Sequence, residues 1–193
     1  MFDVFSFFKT KAFFTLGFLM VFTGMQQAVV ISDVTRLYGT ETMGLGMIGY
    51  MMMCYGTCQL ATLLVVEKLQ KCIRPIVFVL KGLLVTLGLL ILLYVWEPGQ
   101  ESVFLILGYA GVWGAVDAIW QSQVQSLLIQ ASPRKECAAL GFRMCQSLGL
   151  GIIFLLDIWA SVLYKACAVG GVLVMGVISY MIGEVMQKPC AVW

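Results

Sequence analysis

One aspartate stands in the middle of an apolar stretch, in the run Gly108-Tyr-Ala-Gly-Val-Trp-Gly-Ala-Val-Asp117-Ala-Ile-Trp-Gln-Ser-Gln-Val-Gln125. A carboxylate in hydrocarbon is costly, and such residues usually face a protein interior or a water-filled path. Gln121 and Gln125 follow Asp117 at four-residue steps, so on a helix they stack on its side. Gln123 adds a further amide. Two chemistries fit this pattern: an element lining a path for an ion, proton or polar substrate, or a hydrogen-bond cluster that ties helices together. A buried Asp needs a partner or a proton in either case.

Other polar groups lie in similar settings. Gln26 and Gln27 are adjacent in an apolar run, and Asp33 and Arg36 follow near its end, spaced to pair with each other. Arg143 stands in Gly141-Phe-Arg-Met-Cys-Gln-Ser-Leu-Gly149. Counting the helical rise from a shared turn places it one or two turns below Asp117. It could reach Asp117 or Gln121 from there, or snorkel to the headgroups. Gly111, Gly114 and Ala118 form a small-residue stripe that admits a close helix neighbour. Trp113 and Trp120, seven apart, share a face and would pack the polar centre.

These residues need helices that cross a membrane. Hydrophobic residues make up 61% of the 193-residue chain and charged residues only 11%. A soluble domain carries about 25% charged residues, so lipid must cover much of this surface. Six apolar segments are expected: Ala12–Ser32, Met43–Val66, Ile76–Trp96, Ser102–Gln125, Ala138–Ile158 and Val162–Val185. Each is about 20 residues or more, long enough to span as a helix and too long for a barrel strand. The first lacks a signal-peptide cleavage pattern and reads as a retained span. The expectation is an all-α membrane protein with short tails at 1–11 and 187–193 around a six-helix domain at 12–186.

Sidedness follows from the basic residues. Lys9, Lys11, Lys68, Lys71, Lys81, Arg74, Arg134, Lys135, Arg143 and Lys188 fall to one side. Only Arg36 and Lys165 fall to the other, which places both termini in the cytoplasm. Trp96, Trp159 and Tyr164 sit where interfacial anchors belong.

Several functions are excluded by composition. There is no His, the commonest general base and metal ligand. No phosphate loop, zinc-ligand spacing or Ser–His pair occurs. Asp33, Asp117 and Asp157 fall in different spans at different expected depths, which argues against an aspartyl dyad. No enzyme activity, cofactor, metal or nucleic-acid partner is expected. The seven cysteines read as apolar fillers or cytoplasmic juxtamembrane thiols.

At the polar positions the chain resembles the Unc-93 family. Gly24-x-Gln-Gln27 with Asp33-x-Thr-Arg36-x-Tyr38 resembles that family's first-span signature. Gly49-Tyr-Met-Met-Met-Cys-Tyr55 resembles its Gly-Tyr-Val-Met-Ile-Cys-Phe. Trp113-Gly-Ala-Val-Asp-Ala-Ile-Trp-Gln-Ser-Gln123 resembles Trp-Gly-x-x-Asp-Ala-x-Trp-Gln-Thr-Gln. Arg143-Met-Cys-Gln-Ser-Leu-Gly149 is looser, with Cys145 and Gln146 in place of Trp and an acid. The resemblance implies a major facilitator fold, of which this chain matches the second six-span half. It also implies a regulatory or trafficking partner of an ion channel or receptor, potassium channels included. The alternative is half of a secondary transporter. A lone half could also self-associate, pair with a missing first half, or have lost function. In that last case Gln26, Gln27, Asp117 and Gln121 would lie stranded on an open inter-half face.

Overall fold

The computed structural model describes residues 11–70, 75–95, 103–131 and 135–187. Six helices among them are long and apolar enough to cross a membrane. They are α1 (Lys11–Val29), α2 (Ile48–Leu69), α3 (Pro75–Val95), α4 (Val103–Ala131), α5 (Lys135–Leu156) and α6 (Val162–Gln187). No strand occurs among the described residues. In lipid each backbone N–H and C=O must be satisfied within its own segment, which these apolar runs achieve as helices.

The expected spans are found, with shifted ends. α1 does not stop at Ser32. It continues as a π-helix over Val30–Met43 and then a short 3₁₀ turn over Leu45–Met47. The π winding carries Asp33 and Arg36 onward within a helix. α4 runs past Gln125 to Ala131, because its polar Gln and Ser residues continue the helix. Pro75 opens α3 at its first residue, where a missing N–H costs nothing. Trp96, Lys71, Arg74, Arg134, Lys9, Lys188, Cys72 and Cys190 lie outside the described residues.

α1 and α4 form the centre. More than half of each central window is buried, against 11% for α2. α1 packs on α4, α5 and α6, while α4 packs on α1, α2, α3 and α5. α2 lies along α4 and touches the π segment, and α3 also meets α6. Exchanging the first three helices with the last three maps most of these neighbours onto one another; α4–α5 has its counterpart only where α2 meets the π segment. The α1–α5 pair becomes α4–α2, and α1–α6 becomes α4–α3. Trp113, Trp120, Phe22 and Phe142 are the largest apolar side chains fully enclosed between them.

Glycine sets the two tightest crossings. A Cβ on Gly24 would overlap the Gln146 carbonyl, and one on Gly149 would overlap the Val21 carbonyl. These two glycines let α1 and α5 meet backbone to backbone. On the other side, a Cβ on Gly114 would overlap the Tyr55 carbonyl, so α4 and α2 meet in the same way. Without a hydrophobic drive between helices in lipid, such close packing is a main source of association.

The small-residue stripe is therefore occupied within the chain. A Cβ on Gly111 would stand 3.0 Å from the Cys58 Sγ, and Ala118 is buried. The stripe belongs to the α2–α4 contact and is not an open surface for another protein.

Candidate intramembrane polar site

The Asp117 carboxylate is fully enclosed. Its Oδ2 accepts three hydrogen bonds: from the Tyr55 hydroxyl at 2.7 Å, from Gln121 Nε2 at 2.8 Å and from Gln59 Nε2 at 3.0 Å. Gln121 comes from one turn further along α4, as its spacing predicts. Tyr55 and Gln59 come from α2, one turn apart on the face that lies against Gly114. The glycine crossing brings α2 near enough for both side chains to reach the carboxylate. Donors to a charged acceptor make stronger bonds than neutral pairs do.

Sequence reasoning overlooked Tyr55 and Gln59. The available signal was their four-residue spacing, which puts a hydroxyl and an amide on one face of an otherwise apolar helix. Further along the same pair of helices, Gln70 Nε2 donates to Ser122 Oγ at 2.6 Å.

Arg143 does not pair with Asp117 or Gln121. It is exposed, and its guanidinium donates to Gln146 Oε1 at 2.8 Å. The Gln146 amide in turn donates to Gln27 Oε1 at 3.2 Å. Rotation about the helix axis decides this: α5 turns its buried face to α1 and Arg143 to the outside. Gln27 thus joins a chain with Gln146 and Arg143, separate from the Asp117 cluster.

Gln26 is wholly buried, and neither of its amide atoms has a hydrogen-bond partner. Trp113 Nε1, Gln123 Nε2 and Asp117 Oδ1 are likewise buried and unpartnered. Trp120 is satisfied, donating to Thr86 Oγ1 on α3 at 2.9 Å, and its ring stands edge-on to Phe22. Trp113 packs edge-on against Tyr109. The polar groups are not stranded on an outer face: Gln26 and Asp117 are enclosed, and Gln27 and Gln121 are half-buried.

Alongside Arg36 on its own segment, Asp33 meets a second cation from α6. Lys165 Nζ donates to Asp33 Oδ1 and also to Asp157 Oδ1, and Lys165 is itself fully buried. The acids thought to lie at different depths, Asp33 and Asp157, meet on one ammonium. No group of three His, Cys, Asp or Glu residues that could hold a metal ion occurs among the described residues.

Comparison with known proteins adds a lineage to this geometry. No family model and no solved structure matches the chain. Among curated proteins, Protein unc-93 homolog A of Homo sapiens is 29% identical over 188 residues, covering 96% of this chain and 41% of that protein. The chain is similar to the Unc-93 proteins. The Mus musculus homolog A is 25% identical over 98% of the chain. The Putative potassium channel regulatory protein unc-93 of Caenorhabditis elegans is 26% identical over 72% of the chain and 20% of that protein. The chain spans about two fifths of the length of the homolog A proteins it matches. The residues by which it resembles those proteins fall at both crossings: Gly24 and Gln27 at α1–α5, Gly114 and Asp117 at α2–α4.

Proposed function

We propose that this Unc-93-like membrane chain acts without catalysis, as a regulatory or trafficking partner whose helices dock on those of an ion channel or receptor. The observation that carries this is α2. It lies on α4 along one face and leaves Tyr50, Met53, Leu60 and Leu64 exposed on the other. The polar groups around Asp117, by contrast, bond the chain's own helices to each other. The name of the worm relative, a putative potassium channel regulatory protein, points to a channel helix as the partner. The positive-inside count supports both termini in the cytoplasm, in the plasma membrane or an endomembrane. Residues 1–11 and 187–193 would be the tails.

The neighbour pattern that largely survives exchange of the two helix triplets supports one half of a major facilitator fold, whose halves carry inverted three-helix repeats. Co-expression with a potassium channel tests the regulatory role. The expected outcome is co-purification and altered current, both lost in a Met53→Lys, Leu60→Lys variant that still inserts. Unchanged current with intact binding to other membrane proteins would sink the channel assignment.

A transporter half has one specific observation in its favour: the orphaned buried atoms of Gln26, Asp117, Gln123 and Trp113. Unsatisfied polar atoms in a bilayer core are where a polar solute or ion finds partners. Flux of protons or small solutes into liposomes, abolished by Asp117→Asn, would establish it over the regulatory role.

A further inference from the structure

Four buried polar atoms stand at one level of the α1–α4 contact. They are Nε2 and Oε1 of Gln26 on α1, and Trp113 Nε1 and Asp117 Oδ1 on α4. None has a hydrogen-bond partner among the described residues. All three side chains are fully enclosed. The register comes from the Phe22 and Trp120 rings, whose centroids are 5.4 Å apart. Successive spans reverse direction, so α4 runs down the membrane as α1 runs up. One turn beyond Phe22 is Gln26, on the same helix face. One turn before Trp120 is Val116, with Trp113 and Asp117 on either side of it. A buried polar atom without a partner is costly, and most of all in hydrocarbon.

Donor and acceptor chemistry names the ligand. Gln26 Nε2 and Trp113 Nε1 are donors, and Gln26 Oε1 and an ionised Asp117 Oδ1 are acceptors. A bare metal ion would suit the two oxygens and face two N–H groups. An anion would suit the N–H groups and sit beside a carboxylate. A neutral molecule that both donates and accepts suits all four. Were Asp117 protonated on Oδ1, Gln26 alone would still call for both kinds of partner. Water donates twice and accepts twice, which matches this set atom for atom. With all three side chains enclosed, a larger solute has no way to reach them in this arrangement. Gln123 lies on the other side of Trp120, and Ser32 and Asp33 lie on the π segment, so their unpartnered atoms belong elsewhere.

We propose that water resides between α1 and α4 at mid-membrane, held by Gln26, Trp113 and the second oxygen of Asp117. It ties Gln26 to the carboxylate that Tyr55, Gln59 and Gln121 hold through Oδ2. α1 is thereby joined to the α2–α4 cluster through solvent. The inference rests neither on the regulatory reading nor on flux. Water occupies this level in either role, and the transport alternative only shares its atoms.

X-ray hydroxyl-radical footprinting of the full chain in nanodiscs tests this. Radiolysis of a bound water oxidises the side chains beside it, whether or not bulk solvent reaches them. Trp120 is the internal control: the same residue type, enclosed as Trp113 is, with its Nε1 donating to Thr86. The expected result is oxidation of Trp113 about fivefold faster than that of Trp120, as a water contact against none. Gln26→Leu removes a donor and an acceptor at similar volume, and should bring Trp113 down to the rate of Trp120. Tyr55→Phe touches only the other carboxylate oxygen, and should leave the oxidation of Trp113 in place. The two tryptophans oxidised at one rate, low or high, overturns the proposal. So does a Trp113 rate unmoved by Gln26→Leu in a chain that folds. A loss in Tyr55→Phe as large as in Gln26→Leu would put the water on the α2 side and sink the α1–α4 site. Should Gln26→Leu not fold, the wild-type ratio decides alone, because bulk access would oxidise both tryptophans and a dry contact neither.

Discussion

The α1–α5 and α2–α4 crossings are built alike and bonded differently. In each, a glycine of a central helix presses on a backbone carbonyl of an outer one: Gly24 on Gln146, Gly114 on Tyr55. In each, the residue three positions on bonds the side chain at that same contact. At α1–α5 this is Gln27, with a single amide–amide bond to Gln146 of 3.2 Å. At α2–α4 it is Asp117, a carboxylate held by Tyr55, Gln59 and Gln121. Shape is therefore common to the two, and a buried ionisable group is confined to one, since the Arg143 that bonds Gln146 is exposed. What holds both together is backbone proximity, and what distinguishes α2–α4 is a polar cluster on top of it.

That comparison can be broken in four ways, in falling order of effect. Valine at either glycine has no room, since the obstacle is a rigid backbone. Gly24→Val and Gly114→Val should each cost about 3 kcal/mol or more. Gly17→Val, with open space around it, should be nearly neutral. Unfolding midpoints in mixed detergent–lipid bicelles would show it, and a mild effect at only one of the two glycines would end the claim of equivalence.

Removing the charge comes next. Asp117→Ala strands three donors and should cost about 2 kcal/mol in the same assay. Asp117→Asn, which keeps an acceptor, should cost less. Third, Tyr55→Phe should cost about 1 kcal/mol. Its effect should shrink in an Asp117→Ala background, because the two share one bond. Additive losses would separate Tyr55 from the cluster. Smallest is Gln27→Ala, at about 0.5 kcal/mol. A loss there as large as that of Asp117→Ala would show that the two crossings are bonded equally after all.

Much of the fold was legible because lipid imposes length. Ile76–Trp96 was expected and Pro75–Val95 is found; Val162 opens the last helix in both. The first helix was cut short at Ser32 because its polar residues read as an exit, whereas the chain continues in a wider winding. Asp117 with Gln121 was legible because both lie on one helix, where spacing fixes contact. Asp117 with Tyr55 was not, since the rotation of α2 about its axis depends on which helix it packs against. The same lack of azimuth produced the wrong partner for Arg143. Lys165 was read only for its side of the membrane; that Asp33 from a distant segment meets it could not be read from spacing.

The distance along the chain between Asp33 and Lys165 has a consequence for biosynthesis. They are 132 residues apart, and a ribosome adds about 5–20 residues per second. For roughly ten seconds or so after α1 leaves the translocon, its acid has no ammonium to meet. α1 also lacks α4, α5 and α6, the helices it packs on, for most of that time. Of the six helices, α1 is thus made before each neighbour it packs on and is enclosed only once α6 arrives. During that interval Gln26, Gln27 and Asp33 need water, the translocon or a membrane chaperone beside them.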